Sequence, residues 1–231
     1  MLVSIIIPTF NQGKSLRECI ISALNTDMPA HEFEVIVVND GSTDETSDIC
    51  LEFADKINYV YKENGGTASA LNAGIALSEG DYIHWLSSDD VILPDACRKM
   101  LKWIAANDSE EMVNTIYYTN YHVIDDRGLF LRDFKEPGHD ESVLWDKFFG
   151  NGSTSLIHRE VFRKIGDFDS GLPHSEDYEF WLRATMLHGV KMTLIPIFTI
   201  NYRNHAEQLT NKVGGSLDKA IKIAIKERMG G

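Results

Sequence analysis

Four apolar segments in the first 90 residues each end abruptly at a polar, turn-forming sequence, and a helix-length segment follows each one. They occupy residues 2–7, 33–38, 57–61 and 82–86. Short runs that are apolar almost throughout are typical of buried parallel strands. Strands that alternate with helices of this length form parallel βαβ units. The sequence therefore predicts an α/β protein with a doubly wound, mostly parallel, Rossmann-like sheet flanked by helices.

The polar sequences that follow these strands predict a binding site. They are residues 8–11, 39–44, 64–66 and 87–90. In a doubly wound sheet, ligands lie in the crevice outside the carboxyl ends of the strands. Four polar turns that meet at one edge of the sheet indicate a site of nucleotide size.

The pair Asp89-Asp90 comes directly after the fourth strand. Two unit charges 4 Å apart repel by about 4 kcal/mol at an effective dielectric constant near 20. A divalent cation such as Mg²⁺ or Mn²⁺, which prefers carboxylate and hydroxyl oxygens, can offset this repulsion. The alternative is that Ser88 or Asp89 caps a helix that begins near Pro94. The local sequence leaves both interpretations open.

The second half of the chain has a different pattern. Residues 115–123 and 129–134 are predicted strands, residues 142–149 a short helix, and residues 150–155 a polar loop that enters another strand. An amphipathic helix carries Tyr178, Trp181, Leu182 and Thr185 on one face. A last strand, residues 192–202, contains Pro196, which predicts an edge position. Because no linker or repeat is evident, a single domain with a smaller second β/α half is expected.

Two further features have both a functional and a structural interpretation. Asp40 can accept hydrogen bonds from a base or a ribose, or it can belong to a turn in which Ser42 or Thr43 caps the next helix. Gly65-Gly66 allows the backbone to approach a ligand beside the positive end of a helix. Glycine-rich turns are common, so this second feature is weak by itself.

Glu176 and Asp177 lie in a predicted first helical turn. Carboxylates there are stabilised by the helix dipole, which explains both residues without a function. The functional interpretation makes one of them a general base at the mouth of the site. Near the end of the last strand, Arg203 and His205 alternate along an extended segment and could therefore both face a diphosphate or a metal.

Composition narrows the possible functions. A net charge of −13 excludes general nucleic-acid binding, which needs a basic surface. Cys19, Cys50 and Cys97 are far apart and form no CxxC pair, which favours reduced thiols in the cytosol. The apolar run that ends at Pro8 is too short for a signal peptide or a membrane span, and no later run reaches spanning length.

Together, these segments resemble family 2 of the glycosyltransferases, which has the GT-A fold. The resemblance covers roughly residues 2–205. It is carried by residues 3–11 (VSIIIPTFN), 37–44 (VVNDGSTD), 64–66 (NGG), 70–74 (ALNAG), 80–82 (GDY), 86–90 (LSSDD), 166–169 (GDFD) and 175–183 (SEDYEFWLR). So many motifs in the same order make a chance match an unconvincing explanation.

The resemblance implies specific roles for residues. Asp89 would bind Mn²⁺ or Mg²⁺, and Asp177 would deprotonate the acceptor hydroxyl. His205 is the second predicted metal ligand, from its place in the extended segment and not from the resemblance. The nucleotide-sugar donor would contact Pro8, Thr9, Asn11, Asp40, Asn64, Gly66, Asn72, Ser87, Ser88 and Asp89. Family members usually carry Asp where this chain has Ser87, so the D-x-D pattern is S-x-D here, with less negative charge for the metal.

The implied activity is inverting transfer of one sugar from a nucleotide-diphosphate sugar, with a UDP-sugar expected, to a hydroxyl of a glycan or lipid-linked acceptor. It belongs to bacterial polysaccharide or glycoconjugate assembly. A QxxRW-like sequence, found in processive members, is absent. The alternatives are a sugar nucleotidyltransferase, which carries a basic glycine-rich loop after its first strand, and a non-catalytic nucleotide-sugar-binding module, which Ser87 suggests.

The chain divides in this interpretation into residues 1–205, the GT-A domain, and residues 206–231, an amphipathic tail. Within the domain, residues 1–110 form the nucleotide-binding half and residues 111–205 the acceptor half. Residues 216–229 place Leu217, Ile221 and Ile225 on one helical face with several basic residues elsewhere. This helix can cover the domain, dimerise, or rest on the inner face of the cell membrane, so a cytoplasmic protein with peripheral membrane contact is expected.

Overall fold

A strand that is buried along its whole length lies at the centre of the parallel part of the sheet. The structure, a computed structural model, describes residues 1–108, 111–138, 144–145, 150–206, 208 and 216–229. Strand β1 (Val3–Thr9) pairs in parallel with β2 (Phe33–Asn39) and β4 (Tyr82–Trp85), and β3 (Asn58–Tyr61) pairs in parallel with β2. All seven residues of β1 are buried, which explains its continuous apolar sequence.

Four helices connect and cover these strands, as the alternating pattern predicts. They are α1 (Gly13–Leu24), α2 (Thr46–Glu52), α3 (Thr67–Leu77) and α4 (Ala96–Asn107). Helix α3 packs closely on β1 at Gly74, where an added Cβ atom would lie 2.4 Å from a methyl carbon of Ile6. A glycine is therefore required for this helix to approach the strand.

The second half extends the same sheet with mixed pairing. It supplies β5 (Val91–Ile92), β6 (Thr115–Ile124), β7 (Phe130–Phe134), β8 (Leu156–His158) and β9 (Lys191–Arg203). The strand order in the described part of the chain is β3-β2-β1-β4-β8-β6-β9-β5, and β7 pairs with β6. Strand β8 is antiparallel to both β4 and β6, and so joins the two halves into one sheet. The proposed boundary near residue 110 stays a prediction.

Helices cover this half as well. They are α5 (Arg159–Ile165), α6 (Glu176–Leu182), which continues as a π-helical turn (Arg183–Leu187), and α7 (Ser216–Met229). The predicted helix at residues 142–149 lies outside the described residues except for Leu144 and Trp145. Tyr178, Trp181 and Leu182 are buried as predicted. Glu176, Glu179 and Phe180 are buried as well, so the helix is enclosed on most sides and the prediction of an amphipathic helix was wrong.

The last strand is not simply an edge strand. β9 pairs in parallel with β6 along its length and is antiparallel to β5 at Asn201 and Ile200. Pro196 lies in an irregularity where the partner of Thr119 is Ile195 and the partner of Asn120 is Phe198. Proline cannot donate to a regular ladder, and a bulge accommodates it as well as an edge does. The prediction of an edge strand was therefore wrong for the last part of β9.

Apolar side chains form a core on each face of the sheet. Ile6 of β1 packs with residues of α3, α5, α6 and α7, whereas Val3, Ile5 and Ile7 pack with residues of α1, α2 and α4. This division follows the two-residue alternation of side chains along a strand. Both faces are thus covered, and the polar strand ends remain at one edge.

Helix α7 packs on this core through one face. Ile221 and Ile225 are 4% and 2% exposed, whereas Ile223 is 60% exposed. The Ser175 hydroxyl before α6 donates a hydrogen bond of 3.0 Å to Asp218 of α7. Among the described helices, none is both long enough and apolar enough to cross a membrane.

We expect Ile225→Ala to lower the free energy of unfolding by about 2–4 kcal/mol, because it leaves a cavity in the core. Ile223→Ala in the same helix is the matched control and should change it by less than about 0.5 kcal/mol. Urea denaturation of both variants measures the difference. Equal losses at the two positions would show that the buried face of α7 is wrongly assigned.

Candidate active site

A cavity of about 880 Å³ lies at the carboxyl ends of the parallel strands, as the sequence predicts. This volume is in the range of ligand sites. Ten of the predicted site residues line it: Pro8, Thr9, Asn11, Asp40, Asn64, Gly66, Ser87, Ser88, Asp89 and Asp177. The structure therefore brings together residues that are widely separated in sequence.

The loops after β1 and β2 are held to each other by Asn11. This residue has a φ of 51°, in the left-handed region that asparagine tolerates better than most residues. Its side-chain oxygen accepts a 2.8 Å hydrogen bond from the Thr43 amide, and its own amide donates to the Ser42 hydroxyl. Asn11 thus shapes the cavity wall as well as lining it.

Asp40 is 3% exposed and organises the glycine loop. Its carboxylate accepts hydrogen bonds from the Gly65 and Gly66 amides, at 3.1 and 2.7 Å, and from Lys62 Nζ at 2.5 Å. The capping interpretation of Ser42 and Thr43 was wrong in detail, because Asp44 accepts from the first-turn amides of both α1 and α2. Gly66 has a φ of 86° and open space around its Cα atom, so the loop leaves room for a ligand.

Asp89 and Asp90 differ in burial, and this difference reduces the repulsion between their carboxyl groups. Asp90 is 1% exposed, and its Oδ1 atom accepts a hydrogen bond of 2.9 Å from the Arg203 amide. Burial, and then the negative charge of Asp89, raise the pKa of Asp90 well above its usual value. Burial thus favours the neutral form of Asp90, which lessens the repulsion, while Asp89 faces the cavity. Since α4 begins at Ala96, neither Ser88 nor Asp89 caps it.

Ser87 pairs with a serine of the second half. Its hydroxyl accepts a 2.7 Å hydrogen bond from Ser153 Oγ, which in turn accepts from the Ser87 amide at 2.9 Å. An aspartate at position 87 would bring a third carboxylate next to Asp89 and the buried Asp90. The serine therefore lowers the negative charge of this turn.

His205 and Asp89, the two predicted metal ligands, are in contact. The distance from His205 Nε2 to Asp89 Oδ2 is 2.9 Å, although the residues are 116 positions apart. Two ligands about 2.1 Å from a cation at right angles lie about 3 Å apart, so this spacing fits neighbouring positions around an octahedral ion. Within the described residues, no group of three or more His, Cys, Asp or Glu side chains is placed to hold a metal. Remaining ligands would come from diphosphate or water.

Arg203 does not face the site. It is 6% exposed, and its guanidinium donates to the carbonyl oxygens of Asp89, Asp125 and Asp126. It also forms an ion pair with Glu18 at 2.6 Å. The expectation that Arg203 and His205 both face a diphosphate was wrong for Arg203, whose donors are used to hold three loops together.

Asn72 lies outside the described lining of the cavity, and its predicted contact with the donor stays a prediction. Its side-chain amide donates to the Phe168 carbonyl at 2.8 Å and accepts from the Phe168 amide at 3.0 Å. Both polar atoms of the side chain are therefore used in a bridge between α3 and the segment before α6.

Asp177 lies at the first turn of α6 and is half-buried in the wall of the cavity. Burial, and then the charge of Glu176, raise the pKa of Asp177 to about 8. The Tyr178 amide donates to it at 2.8 Å, and the Gly152 amide is a further donor. Burial also raises the pKa of Glu176. The helix dipole alone does not account for this pair, because it would lower both pKa values.

Several cavity residues were missed in the sequence. Glu136, Tyr121, Phe134 and Tyr202 line the cavity beside Asp89 and Asp177. Glu136 is 7% exposed and follows an exposed hairpin, so no local periodicity identifies it. The polar loop at residues 150–155 was noticed, but its contact with Glu136 through the Asn151 amide could not be inferred.

The cavity is strongly acidic. Its described lining contains neither Lys nor Arg, whereas six carboxylates border it: Asp40, Asp89, Glu136, Glu176, Asp177 and Asp218. A cation placed there would meet favourable charge, and an unaccompanied anion would be repelled.

Comparisons with known proteins agree with this arrangement. The family model described as Glycosyl transferase family 2 matches residues 4–166. An uncharacterised glycosyltransferase of Rickettsia prowazekii is 37% identical over 225 residues, which are 94% of this chain and 69% of that protein. Poly(ribitol-phosphate) beta-N-acetylglucosaminyltransferase TarS of Staphylococcus aureus is 28% identical over 190 residues, 80% of this chain and 32% of its own length. The chain thus spans only part of its relatives.

A crystal structure of TarS residues 1–349 in complex with UDP-GlcNAc has a similar fold. Its TM-score is 0.76 at 22% identity, and the likeness covers 97% of this chain and 65% of that chain. It confirms the predicted GT-A-type α/β fold. The family match and the name of the Rickettsia relative confirm that the chain is a glycosyltransferase. The chain belongs to glycosyltransferase family 2.

Proposed function

We propose that the chain catalyses inverting transfer of one sugar residue from a UDP-sugar to an acceptor hydroxyl, in the assembly of a polysaccharide or glycoconjugate. The observation that carries this proposal is one cavity lined by the strand-end loops, by Asp89, which contacts His205, and by the half-buried Asp177. The complex of TarS with UDP-GlcNAc supports the choice of a UDP-sugar. The acceptor is a glycan or a lipid-linked molecule.

In this proposal the nucleoside lies against Pro8, Thr9 and Asp40, with Asn64 and Gly66 beside it. A carboxylate offers about four acceptor positions. Three are used at Asp40 by Lys62, Gly65 and Gly66, which leaves about one for a ribose hydroxyl or a base N–H. Asp40 therefore both fixes the loop and recognises the donor.

The diphosphate needs a positive partner that the described lining of the cavity does not supply as Lys or Arg. Mn²⁺ or Mg²⁺ held by Asp89 and His205 would neutralise the charge of the leaving diphosphate. Asp89 supplies a hard oxygen and His205 a neutral imidazole nitrogen, while Ser87 contributes a hydroxyl without added charge. Two protein ligands plus phosphate oxygens and water are a common arrangement for these ions.

Asp89→Ala should lower sugar transfer at least about a hundredfold, because several kcal/mol of charge stabilisation would be lost. His205→Ala should weaken binding of Mn²⁺ in the presence of UDP, measured by calorimetry. Asp55→Ala, which removes an exposed carboxylate, is the control and should leave both properties unchanged. Full activity of the wild-type protein in excess EDTA would contradict the metal assignment.

Asp177 takes the proton of the acceptor hydroxyl in the proposed reaction. The hydroxyl oxygen then attacks the anomeric carbon on the side opposite the diphosphate, the bond from that carbon to the diphosphate breaks, and UDP leaves with the electron pair. Inversion follows from attack opposite the leaving group. A base is most effective when its pKa is near the working pH, and burial places that of Asp177 at about 8.

We expect kcat/KM to rise with pH, with its midpoint near the pKa of Asp177, about 8, because only the deprotonated carboxylate accepts a proton. Glu176→Gln should move this midpoint to lower pH, since it removes a negative charge that raises the pKa of Asp177. Asp177→Asn should lower turnover at least about a hundredfold with little change in donor affinity.

The control for these variants is Glu160→Gln, because Glu160 lies on the distant helix α5 and pairs with Arg163. Its pH profile should match the wild type. Near-normal turnover in Asp177→Asn together with an inactive Glu176→Gln would assign the base to Glu176 instead.

The outward face of α7 is the proposed site of peripheral membrane contact. Ile223 and Met229 are 60% and 53% exposed, and Lys219, Lys226 and Arg228 are exposed with them. Exposed apolar residues among cations are typical of helices that lie on anionic membranes. The buried face, which contains Ile221 and Ile225, is used by the core.

If α7 binds membranes, the protein should sediment with vesicles of phosphatidylglycerol and phosphatidylcholine, and less so as salt increases. Ile223→Asp should abolish this sedimentation without changing the urea midpoint. Equal recovery of wild type and Ile223→Asp with the vesicles, or no recovery of either, would contradict the proposal.

A further inference from the structure

Three aromatic rings from three strands form one face of the cavity. Tyr121 of β6 stacks on Phe134 of β7, with ring centroids 4.7 Å apart and planes inclined by 14°. Tyr202 of β9 lies against Tyr121, with centroids 5.3 Å apart. All three line the cavity and are partly exposed. Such a face can bury the apolar C–H face of a sugar ring while the hydroxyl groups remain at its edge.

Glu136 follows Phe134 by two residues and supplies a buried acceptor beside these rings. Its own amide donates to Asn120 Oδ1 at 2.9 Å, which fixes the segment. Its carboxylate accepts hydrogen bonds from the amides of Gly150 and Asn151. In the described part of the chain, Glu136 has no Lys or Arg partner. It can therefore accept hydrogen bonds from ligand hydroxyls.

One loop, residues 150–152, contacts both Glu136 and Asp177 and so places the two carboxyl groups near each other. The amides of Gly150 and Asn151 donate to Glu136, and the next amide, that of Gly152, donates to Asp177. Because consecutive amides bind the two carboxylates, the aromatic face adjoins the proposed base. A ring that packs on this face can present a hydroxyl to Asp177.

The charge of the cavity limits what this face can bind. Lys62 pairs with Asp40, and burial raises the pKa of Glu136, Glu176 and Asp177. The described lining nevertheless contains neither Lys nor Arg, so a carboxylate or phosphate on the acceptor would lose water without gaining a positive partner, beside the carboxylate of Asp89. The donor diphosphate is not excluded in this way, because the proposed Mn²⁺ or Mg²⁺ would neutralise its charge. An anionic acceptor brings no cation with it.

We propose that Tyr121, Phe134, Tyr202 and Glu136 form the acceptor subsite and that it takes an uncharged sugar residue. The inference rests on the proposed function. It assigns the acceptor to neutral glycans, and it excludes acceptors whose reacting residue carries a uronate or a phosphate.

Matched acceptors test the charge preference. The probes are the p-nitrophenyl β-glycosides of glucose, galactose and N-acetylglucosamine, each compared with the corresponding uronide or 6-phosphate. Saturation-transfer NMR in the presence of UDP and diamagnetic Mg²⁺ measures acceptor binding without turnover. Neutral glycosides should bind at least about tenfold more tightly than their anionic counterparts, because local repulsion is removed.

Variants test the residues. Phe134→Leu and Glu136→Gln should each raise the dissociation constant of the neutral glycoside about tenfold and leave UDP binding unchanged. Glu136→Gln should also reduce the discrimination against anions. Phe130→Leu and Asp133→Asn change exposed residues of the same strand and are the controls, with no expected effect.

The outcomes separate this inference from the proposed function. A protein that binds UDP but prefers anionic acceptors, binds no neutral glycoside, or is unaffected by both Phe134→Leu and Glu136→Gln overturns the acceptor subsite. A folded protein that binds neither UDP nor UDP-GlcNAc overturns the proposed function instead. Thermal unfolding of each variant shows whether it is folded. If Glu136→Gln does not fold, Phe134→Leu still tests the acceptor subsite.

Discussion

The arrangement of the cavity depends on Arg203, a buried cation at the end of β9. Its side chain donates to main-chain carbonyls of Asp89, Asp125 and Asp126, and its amide donates to Asp90. These contacts tie the last strand of the second half to the turn after β4. His205, two residues later, is thereby held against Asp89. Removing this buried guanidinium would leave several acceptors without a donor, and the free energy of unfolding would fall as a result.

The same contacts show why Asp89 and Asp90 have different roles although they are adjacent. Asp90 points inward, and its burial raises its pKa and so favours the neutral form. Asp89 points into the cavity, where His205 is its neighbour. Asp89 is thus the carboxylate of this turn that faces the cavity, and Ser87, whose hydroxyl pairs with that of Ser153, adds no charge. The burial of Asp90 and the hydrogen bond between Ser87 and Ser153 thus limit the electrostatic repulsion at this turn.

Local patterns predicted the strands and the edge at which they end, because an apolar run and the turn after it are contiguous in sequence. They could not supply partners far apart in the chain. Alternation along the last strand predicted that His205 faces a diphosphate or a metal, but its contact with Asp89, 116 positions away, could not be inferred from it. Nor could local patterns show that Asn72 bridges to Phe168, 96 positions away. Arg203 was misassigned because alternation along a strand does not reveal which carbonyls lie nearby. Glu136 was missed because a single glutamate after a hairpin forms no pattern.

The irregular pairing of β9 with β6 places extra residues in β9 and so affects where the segment after this strand lies. The 13 residues of β9 are opposite 10 residues of β6. A regular pairing of the same length would need three residues fewer, which corresponds to about 10 Å of extended chain. It would also reverse which side chains face each side of the sheet, because three is odd. Insertions and deletions in this strand are therefore not neutral changes of loop length, because they would change either the pairing register of β9 or the position of His205 relative to Asp89.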